Sequence, residues 1–250
     1  MAPSDPLADG SASPSAGNAP VGVVLPAGGS GTRMAEDGQP SKQFRHLGDA
    51  PVLVQTARAF AGHRAIGPIV VVAPAGREAD VDTLLRSFGV DAHVATGGAT
   101  RQASVSAGVR ALPSATTVVL VHDAVRPFVM PDVIDRVVGA ATTHGAAAAA
   151  LRVSDTLRQG GDGPLFGTTV SRDGLWAMQT PQGARRHWLL RAEANAAGHV
   201  ATDEVGLLQH AGYPVRIVEG DARNLKLTRP SDWTLAEALW RAWSRSEGDA

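Results

Sequence analysis

Cysteine is absent from the 250 residues, which excludes a disulfide framework, a thiolate zinc site, an iron–sulfur cluster and a cysteine nucleophile together. An excess of one charge is also missing. The 23 basic and 24 acidic side chains leave a formal net charge of -1, without the basic surplus of a nucleic-acid binder. No uninterrupted apolar stretch approaches the roughly 18–20 residues of a membrane helix, and the N-terminus shows no basic segment followed by an apolar run, so an export signal is not expected. A soluble cytoplasmic protein with no nucleic-acid or membrane partner follows as the expectation. Two nucleotide signatures are lacking as well. The Gly-Lys-Ser/Thr of a Walker loop occurs nowhere, and the third glycine of the dinucleotide fingerprint is missing because Gly29-x-Gly31 runs on to Met34.

What is present is 44% apolar residues, enough at this length for one sizeable core. Residues 1–20 are Pro, Ser, Ala, Gly and Asp with little beyond Leu7 to bury, and read as a disordered leader. A single domain is expected over residues 21–245. Its texture alternates β-branched runs (Val21–Leu25, Ile69–Ala73, Thr117–Val121, Val215–Val218) with segments of helical period (Val52–Phe60, Glu78–Phe88, Arg101–Leu112, Val133–Thr143). Nearly continuous apolar strands are those covered on both faces. The alternation predicts an α/β fold, a Rossmann-like and mostly parallel sheet with helices on both faces. From about 152 to 182 turn residues interrupt short β-like pieces such as Leu165–Val170. A structureless loop of that length is improbable in a compact domain, so the segment is expected to be a protruding β-arm that finds its partner in a second copy, making a homodimer. Helical pattern resumes at Arg185–Ala196, Asp203–His210 and Trp233–Trp243.

Two segments carry chemistry. The first strand runs into Pro26-Ala27-Gly28-Gly29-Ser30-Gly31-Thr32-Arg33-Met34, where small residues let backbone N–H groups close on an anion and Arg33 adds a fixed cation. Read alone, the alternative is a Gly-rich turn without a ligand. Lys42 follows by about ten residues and could fold back onto a second phosphate of the same polyanion; Arg33 with Lys42 suits a triphosphate. The second segment is His122-Asp123-Ala124-Val125-Arg126-Pro127, after the strand ending at Val121. Ligands of open parallel sheets gather beyond the carboxyl ends of strands, which puts Asp123 where a metal-bound nucleotide would lie, one carboxylate with phosphates and water being the usual way to hold Mg²⁺. The bland alternative is a helix N-cap or a loop acid paired with Arg126. His122 has neither a carboxylate partner nor a metal-spaced second histidine near it in sequence, and reads as structural.

These segments, in order, resemble the 2-C-methyl-D-erythritol 4-phosphate cytidylyltransferases of the non-mevalonate isoprenoid pathway, from about Val21 to Trp240. Further motifs carry the resemblance: Lys42-Gln43, Gly97-Gly98 with Arg101 and Ser104, Asp155-Thr156, Arg172-Asp173-Gly174-Leu175-Trp176, Gln179-Thr180-Pro181-Gln182, Thr202-Asp203-Glu204 and Asn224 to Pro230. The resemblance implies that Ala27, Gly28, Gly29, Gly98 and Ser104 line a CTP site bordered by Arg101. It implies that Arg33 and Lys42 hold the triphosphate and stabilise the pentavalent transition state, that Asp123 reaches Mg²⁺, and that Arg126, Thr156 and Thr180 contact methylerythritol phosphate. Lys226 would orient that substrate's phosphate, and Arg172 would be delivered by the other subunit. Such chemistry needs no general base, since a phosphate monoester with a second pKa of about 6 is already largely ionised. It needs cations around two anions held in line.

The chain departs from the family pattern at three places. Ala27-Gly28-Gly29 stands where Ala-Ala-Gly is common, Ser41 separates Pro40 from Lys42, and Arg223 precedes Asn224 where some relatives have an acid. Rival readings are a cytidylyltransferase for another polyol phosphate such as ribitol 5-phosphate, which Thr156, Arg172 and Thr180 would discriminate; a non-catalytic nucleotide-binding protein; and an NAD-dependent oxidoreductase, weakened by the missing glycine.

Overall fold

The structure is a computed structural model that describes residues 21–28, 41–196 and 198–248. The expected leader, Gly29 and Arg33 lie outside the described residues. The first elements in chain order are β1 (Val21–Pro26), a 3₁₀ turn (Lys42–Phe44), β2 (His46–Leu47), β3 (Ala50–Pro51), α1 (Val52–Ala61), β4 (Ile66–Ala73), α2 (Glu78–Ser87), β5 (His93–Thr96) and α3 (Arg101–Ala111). They are followed by β6 (Val118–Val121), α4 (Pro131–His144), β7 (Ala146–Arg152), β8 (Leu157–Gly160), β9 (Phe166–Val170), β10 (Trp176–Arg185), α5 (Arg186–Ala194), α6 (Glu204–His210), β11 (Arg216–Glu219) and α7 (Pro230–Gly248).

Seven strands form the central sheet in the order β11-β7-β10-β6-β1-β4-β5. β10 runs antiparallel to both of its neighbours, β6 and β7; the remaining pairings of this sheet are parallel. The apolar runs are continuous because both faces are covered. Val23, Leu25, Val71 and Leu120 pack with α1, α2 and α4 on one face, while Val24, Val70, Val72, Val119 and Val121 pack with α3, α5 and α6 on the other. Each such side chain, fully buried, contributes about 1.5–3 kcal/mol. α3 approaches the sheet closely because residue 108 is glycine: a Cβ there would come within 2.5 Å of Val24 Cγ1. That contact fixes where the first turn of α3 opens onto the site.

Sequence and structure differ at two strands and one boundary. β7 begins with five alanines, the best helix formers, yet all five are buried and lie between β10 and β11. β5 is an edge strand with no fully buried residue and hence no apolar run to announce it. The expected arm of residues 152–182 contains a separate hairpin of β8 and β9, with Leu165 and Phe166 exposed at its turn. The arm is shorter at its C-terminal end than expected, because β10 pairs with β7 from Trp176 and its Gln182 lies opposite Val121 in the central sheet.

Candidate active site

The carboxyl ends of β1, β5 and β6 open on one side of the sheet. A cleft of about 450 Å³ there is lined by Ala27 and Gly28 after β1, Gly98, Arg101 and Ser104 at the start of α3, Asp123 after β6, and Lys42 and Lys226. Eight of the residues expected in the site therefore meet, although the chain separates the first from the last by almost the whole fold. Lys42 reaches the cleft from a 3₁₀ turn closed by the Phe44 N–H on the Ser41 carbonyl, 2.8 Å, and Gln43 fastens that turn by donating from Nε2 to the Ala27 carbonyl, 2.9 Å. Ser41 thus serves the turn that presents Lys42. A Cβ at Gly28 would meet nothing nearer than Ser104 Oγ at 3.9 Å, so an alanine there would fit as well.

Ser104 organises the opposite wall. Its hydroxyl accepts from the Gly98 N–H at 3.1 Å and donates to the Thr100 carbonyl at 2.9 Å, and Thr100 caps α3 by accepting from the Ala103 N–H. The N-terminal residues Arg101 and Ser104 of α3 line the cleft, which puts the positive end of the helix dipole beside it, an arrangement that favours anions.

Asp123 is the centre of charge. Its carboxylate lies 2.9 Å from Lys226 Nζ, 3.4 Å from Arg126 Nε and 3.6 Å from Arg101 Nη2. Burial alone would raise its pKa, but Lys226, Arg101 and Arg126 outweigh burial and hold the carboxyl well below the usual carboxylate range. Arg126 is itself buried and donates from Nη1 to the Asn224 carbonyl, 2.7 Å. Asn224 in turn donates from Nδ2 to the Thr180 carbonyl, 2.7 Å. Arg223, by contrast, points to Asp221, with which it makes an ion pair of 2.6 Å.

Behind Asp123 lies a neutral relay. The Thr180 hydroxyl accepts from the Asp123 N–H and lies 3.1 Å from His122 Nδ1, while His122 Nε2 lies 3.0 Å from the Arg126 carbonyl. These partners assign the proton to Nε2, so Nδ1 accepts from the threonine. His122 is structural, as expected, and Thr180 has its hydroxyl engaged in supporting Asp123. Burial pulls the His122 pKa down to about 4, against about 6.5 for an unfolded chain. Between those two values the unfolded state binds more protons, so stability falls as pH drops, by roughly 3 kcal/mol once pH is below 4. Urea titrations at pH 7 and pH 4.5 should show most of this loss, and His122→Asn should flatten the difference. Asp123 does not interfere, because its stabilisation is lost only below the unfolded carboxyl pKa of about 3.9.

Thr156 and Arg172 do not line this cleft. Both are exposed on the arm, where the Arg172 guanidinium donates to the Ser154 carbonyl. The structure also adds residues to which sequence reasoning gave no role. Glu204, buried at the start of α6, receives both arms of the Arg101 guanidinium, at 2.8 and 3.0 Å. Burial pushes the Glu204 carboxyl up and Arg101 opposes it; the two short parallel hydrogen bonds keep the pair ionic. Gln182 holds the same turn by accepting the N–H groups of Glu204 and Val205 at 3.0 and 3.1 Å. The signal available in the sequence was Asp203, a helix N-cap three residues before Gly206; the partner of Glu204, 103 residues away, left none.

A sequence profile described as IspD, 2-C-methyl-D-erythritol 4-phosphate cytidylyltransferase, matches residues 21–242. The chain belongs to this family. A 2-C-methyl-D-erythritol 4-phosphate cytidylyltransferase of Salinibacter ruber is 48% identical over 227 residues, covering 89% of this chain and 94% of that protein. One from Deinococcus radiodurans is 43% identical, covering 87% of this chain and 88% of its own length. The crystal structure of the 2-C-methyl-D-erythritol 4-phosphate cytidylyltransferase from Thermus thermophilus superposes with a TM-score of 0.76 at 38% identity, over 89% of this chain and 99% of that one. The mostly parallel α/β fold is therefore shared with that cytidylyltransferase over most of the chain.

Proposed function

We propose that this cleft transfers CMP from CTP to 2-C-methyl-D-erythritol 4-phosphate, releasing pyrophosphate. The observation that carries the reading is the convergence of Lys226, Arg101 and Arg126 on Asp123 beside Lys42, at the carboxyl end of a parallel sheet. In this reading Ala27, Gly28, Gly98, Ser104 and the first turn of α3 seat the nucleotide. Lys42 and Lys226 hold the phosphates, and Arg33, outside the described residues, takes the same role on the family resemblance alone. The methylerythritol phosphate oxygen attacks the α-phosphorus as an anion; the bond to pyrophosphate breaks opposite it, and the cations neutralise both groups as charge redistributes. No side chain has to remove a proton.

Among the described residues no group of three or more metal-ligating side chains occurs, so a cage built from the protein alone is not at issue there. A single carboxylate suits a Mg²⁺ that arrives on the triphosphate. Asp123 fits that role and would hold the ion, which would supply further neutralisation of phosphate charge. For this to happen Lys226 must leave Asp123, and a phosphate is the natural alternative partner for its ammonium. Arg126 and Thr180 support the acceptor side from behind Asp123. Arg172 and Thr156 would reach that side from the arm of a second subunit, with exposed Leu165 and Phe166 available for the contact between copies. Use of CTP as donor agrees with the cytoplasmic setting expected from the composition.

Pyrophosphate release measured with CTP, Mg²⁺ and one polyol phosphate at a time tests the assignment. Turnover is expected with 2-C-methyl-D-erythritol 4-phosphate; turnover with ribitol 5-phosphate alone would overturn it.

A further inference from the structure

Arg101 stands between two carboxylates and does not treat them equally. Its fork closes on both oxygens of Glu204 at 2.8 and 3.0 Å, while Asp123 Oδ1 remains 3.6 Å away. Glu204 is 3% exposed and lines not the cleft but a neighbouring pocket that Arg101 also borders. We propose that Glu204 is a positioning residue which holds Arg101 at the cleft wall, in a longer ion pair with Asp123 rather than closed upon it, and thereby sets the affinity for the nucleotide. The inference rests on the nucleotide site proposed above.

The frame around Glu204 is built to hold a direction. Asp203 caps α6 by accepting the Gly206 N–H at 2.9 Å. Gln182 accepts the Glu204 and Val205 N–H groups and donates from Nε2 to Asp203 Oδ2, 3.1 Å. Gln182 belongs to β10 and lies opposite Val121, two residues before Asp123. The carboxylate that restrains Arg101 and the carboxylate that competes for it are therefore referenced to the same pair of strands. A small displacement of one relative to the other is resisted by backbone pairing.

If the Glu204 charge is removed, the carboxylate still in an ion pair with Arg101 among the described residues is Asp123; Asp203 also attracts the guanidinium but is held by Gln182 and the Gly206 N–H. The Arg101 side chain is 32% exposed and has room to swing the short remaining distance. Once closed on Asp123, which lines the same cleft, the guanidinium would be drawn away from its present place beside Gly98 and Ser104, and Asp123 would be further occupied before substrate arrives. The consequence belongs to binding of the nucleotide more than to the chemical step, since Lys42 and Lys226 are untouched.

A double-mutant cycle on the intact protein tests this, with CTP affinity by calorimetry, KM and kcat by pyrophosphate release, and thermal unfolding as a fold control. Glu204→Gln keeps the shape and one hydrogen-bond acceptor. It is expected to raise both Kd and KM for CTP about tenfold, the scale of one charge-assisted hydrogen bond, with kcat within about threefold. Arg101→Met should weaken CTP comparably, and the double variant should be no weaker than Arg101→Met alone. Glu204→Asp retains the charge on the same capped turn and should lose less affinity than Glu204→Gln. Multiplicative losses in the double variant, or an unchanged Kd in a folded Glu204→Gln, would overturn the proposal while leaving the nucleotide site standing. An unchanged Kd in Arg101→Met would instead remove Arg101 from that site and take away the reading on which the proposal rests.

Discussion

Replacing Lys226 with alanine should lower kcat by roughly a hundred- to a thousandfold, the cost of removing one preorganised donor from developing phosphate charge, while folding stability stays within about 1 kcal/mol. The stability half of this expectation follows from position. Lys226 is 43% exposed at its side chain, and its segment is pinned without it: Leu227 is fully buried and donates its N–H to the Val125 carbonyl at 3.0 Å. Asp123 keeps Arg101 and Arg126 when the lysine goes. The activity half follows from chemistry, since two anions must meet and Lys226 is the nearest cation to the carboxylate at the centre of the cleft. Steady-state pyrophosphate release paired with urea unfolding measures both. A variant that turns over normally would show that the ammonium serves only to neutralise Asp123.

The opposite pattern is expected at the partner. Asp123→Ala should destabilise the fold by about 3–5 kcal/mol, because removing one member of a buried charged cluster leaves the others desolvated and unpaired. Arg126 suffers most: its side chain is 10% exposed, and Asp123 is the carboxylate it faces. Activity should be lost as well. The cause can be separated by the double variant Asp123→Ala with Arg126→Met, which removes the stranded cation and should recover part of the stability but none of the turnover. If Asp123→Ala unfolds at the wild-type urea midpoint, the cluster is more solvated than its geometry implies, and the low Asp123 pKa has another origin.

These two residues also show which parts of the molecule could be read before its folding. Asp123 was legible because a strand of four apolar residues points to its carboxyl end, and the rule that ligands collect there is geometric. Lys42 and Gly28 were legible because a glycine-rich turn after a first strand is a local event. The five alanines of β7 were not, since intrinsic propensity favours helix and only the neighbours β10 and β11 make them a strand. The end of the arm was misplaced inside β10 for a related reason: the first three residues of the strand are exposed or half-buried and the next six buried, so no single periodicity runs along it. Glu204 was silent because a buried acid is recognised by its partner, and Arg101 lies more than a hundred residues away in sequence though 2.8 Å away in space. Long-range pairing of charges is a property of the finished fold, whereas turns, caps and apolar runs are written locally.

Family membership is carried by residues 21–242, whereas the chemistry turns on where the cations go when phosphates enter. A crystal structure of the protein with CTP and 2-C-methyl-D-erythritol 4-phosphate measures this directly. In that complex Lys226 Nζ is expected to have exchanged Asp123 Oδ2 for a phosphate oxygen, with Lys42 on the triphosphate and the base against Gly98 and Ser104. A nucleotide bound elsewhere, with the 2.9 Å pair between Lys226 and Asp123 intact, would contradict it.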